Sequence, residues 1–150
     1  MITFQHEPVM PFLSDNMDVL RKHYEEIAER TDVIELDPNI ALYEELYSKG
    51  KLEVHVARDD GKCIGYHLWI VGPHLHYQKS LTAHSDVLFL LPEYRKGMFG
   101  AKFIKWSLEE IKKRKPQRIL FHVKPSLNYG PILERMGAHM FETAYSIILE

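Results

Sequence analysis

The residues best suited to chemistry are Arg95-Lys96-Gly97-Met98-Phe99-Gly100-Ala101. They sit between an apolar run that ends at Pro92 and an amphipathic segment, so Asp86 to Arg114 reads as strand, loop and helix. The first N–H groups of a helix lack backbone partners and carry partial positive charge. Glycines let such a backbone approach a ligand, and Arg95 and Lys96 add charge beside it. The combination suits a diphosphate. A Walker loop is excluded, because its Gly-Lys-Ser/Thr ending is absent. A dinucleotide fingerprint would follow the first strand of a parallel unit, whereas this loop comes late in the chain. The plain alternative is a turn with a capping glycine.

A second constellation is titratable. His84 and Asp86 lie two residues apart, so they share one face of a strand. A carboxylate beside an imidazole can hold the ring or tune its proton affinity. His122 lies on the next strand. His74-x-His76 and His84-x-Asp86 together could also supply three metal donors and an open position, although no cysteine supports that set and no metal is expected.

The elements that position these residues follow from periodicity and breakers. Residues 2–5 read as a short strand, and Pro8 and Pro11 break the chain after it. Ser14 or Asp15 caps a helix with Met17, Leu20, Tyr24, Ile27 and Ala28 on one face, ended by Thr31. Asp37-Pro38 starts a second helix that Gly50 stops. Residues 52–58 alternate as a strand, Asp59-Asp60-Gly61-Lys62 is a hairpin turn, and the return strand runs from Cys63 to Val71 before Gly72-Pro73. Residues 74–83 read as a loop or strand extension. Residues 84–91 are the most apolar strand, placed at the centre. A helix from Lys102 to Arg114, a strand over 118–123, a short helix from Tyr129 to Met136 and one or two strands over 139–149 complete the order. The helix between residues 84–91 and 118–123 implies a parallel crossover in an otherwise largely antiparallel sheet.

At this point the chain resembles the GNAT superfamily of acyl-CoA-dependent N-acetyltransferases. Members carry an Arg/Gln-x-x-Gly-x-Gly/Ala loop after a strand that often ends in Pro-x-Tyr-Arg. Here Pro92-Glu93-Tyr94-Arg95 leads into the loop. Arg95 and Gly100 match its first and last positions, Met98 stands where the middle glycine is usual, and Gly97 lies one residue earlier. The later motif corresponds to Phe121–Ala138, ending Glu134-Arg135-Met136-Gly137-Ala138. Similarity is good from Val54 onward, and short phage acetyltransferases look similar in the loop.

The resemblance implies an α/β fold: a mixed, largely antiparallel sheet with a splayed parallel strand pair, flanked by about four helices, as one acetyltransferase domain over residues 1–150. It implies acetyl-CoA as co-substrate, with the pantetheine arm pairing along Phe89, Leu90 and Leu91. The diphosphate would lie on Arg95, Lys96, Gly97, Met98, Phe99, Gly100 and Ala101. An amine would attack the acetyl carbonyl directly, with Asp86 or His84 as candidate base. The family's acidic tyrosine falls four residues before Gly137, at Leu133, so Tyr129 or Tyr145 would have to replace it. Asn128 is a candidate ligand for the pantetheine amides, and Ser126 stands nearer the family's asparagine position.

Composition narrows the classes. Net charge is −2, so no global basic footprint points to nucleic acid, and Lys112-Lys113-Arg114-Lys115 reads as a solvated helix end. No apolar run approaches the ~18 residues of a membrane span. Cys63 is the single cysteine, expected as a small buried hydrophobe, which with the unremarkable N-terminus suits the cytoplasm. The expected partner is an amine, small or proteinaceous, with a homodimer left open. The rival readings are a non-catalytic CoA-binding protein and, further behind, a His/Asp metal-binding protein.

Overall fold

The computed structural model describes residues 1–150. Five strands form one sheet in sequential order: β1 (Ile2–His6), β2 (Leu52–Asp59), β3 (Lys62–His74), β4 (Tyr77–Leu90) and β5 (Arg118–Phe121). All neighbours are antiparallel except β4 and β5. Helices α1 (Val9–Asp15), α2 (Met17–Ile27) and α3 (Ile40–Ser48) follow β1. Helix α4 (Phe99–Lys112) makes the crossover from β4 to β5, and α5 (Gly130–Arg135) follows β5.

Alternation along the strands assigns the two faces. On β2, Leu52, Val54 and Val56 join Tyr66 and Leu68 of β3 in a core with Val9, Phe12, Leu13 and Val19 of α1 and α2. The intervening His55 and His67 point the other way, to Ser107 on α4. Trp69, Val71 and Ala83 continue that second face against Leu108 and Ile111. The β2–β3 turn leaves Asp60 and Gly61 at φ 47° and 81° between the paired Asp59 and Lys62. Two positive φ values in a two-residue loop form the type I′ geometry that matches strand twist.

Several expectations need correction. Pro8 and Pro11 do not break the chain. Pro8 is the N-cap of α1 and Pro11 lies in its first turn, where a proline loses no helical hydrogen bond. The second helix is capped by Asn39, whose side chain accepts from Leu42 N at 3.1 Å, rather than by Asp37. Gly72-Pro73 does not end β3, because Pro73 stays paired to Leu81 and a register shift follows at His74. The strand containing residues 84–91 begins at Tyr77 and lies fourth, so β3 is the central strand. Residues 139–149 form no strand, and Tyr145 is 95% exposed there. Cys63 is buried as expected. No helix is long and apolar enough to cross a membrane.

Three histidines are buried: His23, His55 and His67. Burial pushes His23 from 6.5 down to about 4, lowers His55 despite Glu53, and holds His67 well below the ordinary range. The unfolded chain therefore binds protons near pH 6 that the folded chain refuses. Stability from this source is complete above the unfolded value and is lost as pH falls toward the folded values. The urea midpoint should decline steadily from pH 7 to pH 5. A midpoint that stays flat would mean that these rings protonate in place.

Candidate active site

The parallel pairing of β4 with β5 runs from Thr82↔Arg118 to Ser85↔Phe121 and stops. On the other side, β4 stays paired to β3 up to Leu90↔Gly65. Residues 86–90 therefore keep one hydrogen-bonded edge and leave the other open. The register jumps here as well: Trp69 pairs with Ser85 and Leu68 with Val87, which leaves Asp86 without a partner on β3. Asp86 is the extra residue of a β-bulge, a device that bends a strand and re-aims a side chain.

Strand alternation sets two neighbours in sequence on opposite faces. Ser85 turns toward α4, where its hydroxyl meets His67 Nε2 at 2.8 Å. Asp86 turns toward α3, where its charge acts on the half-buried Tyr43. Burial raises the Asp86 pKa above the ordinary carboxylate value, and His122 and His84 oppose the shift. Its surface remains solvent-exposed, so the carboxylate is crowded by protein yet accessible. His84 is lowered, first by burial and then by His122, whose ring stacks parallel to it at 6.2 Å. At neutral pH the cluster is an ionised carboxylate beside uncharged His84, a set that can accept a proton.

Tyr129 lies at the N-cap of α5. Its hydroxyl donates to His122 O at 2.9 Å. Burial pushes its pKa up to about 12, opposed by the Ser85 hydroxyl, so it stays protonated and able to donate. Asn128 Oδ1 accepts from Gly130 N at 2.9 Å, an Asx turn that starts α5 and leaves its amide group available. Ser126 is exposed in the turn Pro125–Leu127.

The other end of the open edge meets the loop. Phe89, Leu90 and Leu91 bury their side chains, so only their backbone can face a ligand. Gly97 has φ +72° with nothing near its missing Cβ, so backbone conformation rather than space demands glycine. Helix α4 begins at Phe99 with Met98 as N-cap, no capping side chain and no acidic residue in its first turn. Met98 is exposed. Gly100 sits over Leu90, with 3.7 Å from its hypothetical Cβ to Leu90 Cδ2. Phe99 packs its ring on Phe4 and Tyr94, so its side chain anchors the helix. The N–H groups of Phe99, Gly100 and Ala101 form an uncapped helix start.

Arg95 is turned inward. Its Nε donates to Leu90 O at 2.7 Å, its Nη2 to Glu26 at 2.8 Å, and its guanidinium covers the Phe89 ring at 5.4 Å. It ties the loop to α2, whereas exposed Lys96 is engaged in no ion pair. The spacing that marked Arg95 could not show that Glu26 lies within reach. His74 and His76 lie at the β3–β4 turn and form no three-donor metal group with His84 and Asp86. A cavity of about 160 Å³, lined in part by Tyr77, Thr82 and Arg118, lies at the paired end of β4 and β5, away from the open edge.

A buried polar chain missed by sequence reasoning runs beneath the site. Glu53 Oε2 meets His55 Nε2 at 3.0 Å, and Ser107 Oγ lies 2.7 Å from His55 Nδ1, 2.8 Å from His67 Nδ1 and 2.9 Å from Trp69 Nε1. His67 Nε2 then reaches Ser85. The only available signal was a histidine at an inward position of two consecutive strands.

No protein-family model and no curated protein matches the sequence. Solved structures do. An aminoglycoside acetyltransferase from an uncultured soil metagenomic sample superposes with a TM-score of 0.73 at 12% identity, covering 99% of this chain and 97% of that one. A glucosamine-6-phosphate N-acetyltransferase from Arabidopsis thaliana gives 0.73 at 12%, covering 100% and 99%. A predicted acetyltransferase from Clostridium acetobutylicum, solved with acetyl-CoA, gives 0.71 at 11%, covering 99% and 96%. The fold is that of the GNAT acetyltransferases, a mixed sheet with one parallel strand pair.

If Arg95 is a tether, Arg95→Ala and Glu26→Gln should be non-additive, with a coupling of about 0.5–1 kcal/mol in a double-mutant cycle by urea unfolding. Gly97→Ala should cost about 1 kcal/mol through its backbone alone. Additive losses, or an unaffected Gly97→Ala, would remove these roles.

Proposed function

We propose that the protein is an N-acetyltransferase that moves an acetyl group from acetyl-CoA to a primary amine, with residues 1–150 as one catalytic domain in the cytoplasm. The observation that carries this reading is the open β4 edge over residues 86–90, with Asp86 and Tyr129 at one end and an uncapped helix start at the other. An extended pantetheine arm fits such an edge, since its amides can pair as a strand would. The diphosphate fits the N–H groups of residues 99–101, with Lys96 supplying charge.

Acetyl-CoA supplies a thioester whose carbon accepts a nucleophile. Asp86 takes the proton from the amine as the N–C bond forms and the C–S bond breaks. Tyr129 delivers a proton to the departing sulfur. Asp86 lies on the face that carries Tyr43, and Tyr129 lies beside Ser85 with its hydroxyl on His122 O, so both stand near the gap. Exposed Glu25, Glu29 and Glu44 near the first three helices suit a cationic acceptor. The similar structures named for aminoglycosides and glucosamine-6-phosphate support an amine-bearing acceptor, small or proteinaceous.

Release of free thiol from acetyl-CoA across a panel of amines, peptides and proteins tests the reading. Asp86→Asn should lower kcat/KM about 10²–10⁴-fold with CoA binding intact. Because the Asp86 pKa is raised, the acid limb of the wild-type profile should lie above the ordinary carboxylate value. Lys96→Glu should weaken CoA binding roughly tenfold, the worth of one charge-assisted contact, without loss of stability. CoA binding with no turnover on any acceptor would favour a non-catalytic binding protein.

A further inference from the structure

On the sheet face covered by α4, far along the buried chain from Asp86, four side chains from three elements converge. His6 ends β1, Glu53 and His55 lie on β2, and Glu110 lies on α4. One donor atom each from His6, Glu53 and His55 falls within 4.8 Å of the others. We propose that His6 Nδ1, His55 Nε2 and Glu53 Oε2 form a binding site for a zinc-class divalent cation, with a fourth position open to water.

The separations fit. Metal–ligand bonds of about 2.0–2.1 Å at tetrahedral angles place donors about 3.4 Å apart. His55 Nε2 lies 3.0 Å and His6 Nδ1 3.8 Å from Glu53 Oε2, so small side-chain shifts reach that spacing. Two imidazoles and one carboxylate around an open position suit zinc and its neighbours rather than calcium or magnesium.

Every ligand is also held from behind. His6 Nε2 lies 3.0 Å from Glu110 Oε2, His55 Nδ1 2.7 Å from Ser107 Oγ, and Glu53 Oε1 accepts from Arg114 Nη1 at 2.7 Å. Lys113 holds the remaining oxygen of Glu110 at 2.6 Å. Such outer partners fix ring tautomer and carboxylate orientation in metal centres. Half-exposed His6 leaves an entry path, whereas His55 is fully buried. The nearby Arg114 charge opposes the cation and limits affinity, while two carboxylates offset it.

Binding has a consequence inside the protein. Without metal, His55 Nε2 donates to Glu53. A metal on Nε2 moves that proton to Nδ1, which then donates to Ser107. The Ser107 hydroxyl turns to His67 Nδ1, and His67 Nε2–H turns to Ser85. Donor and acceptor roles exchange along His55, Ser107, His67 and Ser85, while Trp69 Nε1 goes on donating to Ser107. The metal site is thereby wired to the serine beside Tyr129.

The test uses untagged full-length protein stripped with chelator, dialysed against zinc and assayed by elemental analysis, with cobalt(II) absorption reporting coordination geometry. The expected result is one equivalent of zinc, a tetrahedral-type cobalt spectrum, and a raised unfolding temperature. His6→Ala and Glu53→Gln should each weaken binding at least tenfold, Glu110→Gln about tenfold, and His74→Ala/His76→Ala should bind as wild type. His6→Ala lies at an exposed strand end, so circular dichroism of that variant separates ligand loss from misfolding. Nitrogen-15 spectra should show the His67 tautomer reverse on zinc addition. Substoichiometric zinc, or full binding retained in folded His6→Ala, overturns the proposal.

Discussion

The end of β4–β5 pairing at Ser85 and Phe121 is the constraint from which the rest of the site follows. Parallel strands twist relative to one another, and a bulge in one of them increases that twist. With Asp86 as the extra residue, β4 bends away from β5 while keeping β3. Gly65 permits the last contact: a Cβ there would lie 2.7 Å from both Phe89 O and Leu90 Cδ1. The same departure exposes the 86–90 edge and delivers the chain to the start of α4. An unpaired edge inside a sheet is costly unless something pairs with it. The exposed amides are therefore a ready surface for an extended ligand.

Beneath the gap the protein buries polar groups that an apolar core would not need. The arrangement is tolerable because each is satisfied; no buried side-chain nitrogen or oxygen lacks a partner. The directions of the hydrogen bonds are forced. Burial raises the Glu53 pKa, but bonds from His55 and Arg114 prevail and bring it down to about 2, so Glu53 only accepts. His55 must then donate through Nε2 and, being neutral, accept at Nδ1 from Ser107. Ser107 accepts from Trp69 and from His67 Nδ1, which leaves His67 Nε2 to accept from Ser85. One carboxylate near the surface thus sets the orientation of the buried Ser85 hydroxyl.

Much of the architecture was legible because periodicity and breakers carry it. The alternation of residues 52–58, the Asp60-Gly61 turn and the apolar residues 84–91 each have a local physical signature, and the crossover follows from their order. Features that depend on distant residues were not legible. Pro11 looks like a breaker until Pro8 is recognised as the cap that makes it a first-turn proline. Residues 139–149 have strand-like composition, but a strand also needs a partner, and the chain does not pair them. Asp86 could be named from its type and its spacing to His84, yet the bulge that leaves it unpaired depends on registration against Trp69 and Leu68. His55 and His67 look like ordinary strand residues until Ser107, about 40 to 50 positions later, arrives between them.

Arg95 shows how a motif can mark a place without revealing the partners found there. Its position before the glycines suggested a phosphate ligand, and a guanidinium suits that task. Here the same planar group donates to Leu90 O, pairs with Glu26 and covers Phe89, so two of its five N–H donors are engaged within the protein. Diverting it to a phosphate would strand a carbonyl at the strand end and a carboxylate on α2, which would offset much of the gain. In the proposed function the diphosphate is met by the backbone N–H groups of residues 99–101 and by Lys96. Backbone groups in a fixed helix turn need no side-chain ordering on binding, so they bind at lower entropic cost than a flexible guanidinium. The tether and the uncapped helix start are therefore complementary: Arg95 holds the loop from which the peptide groups of the helix start are presented.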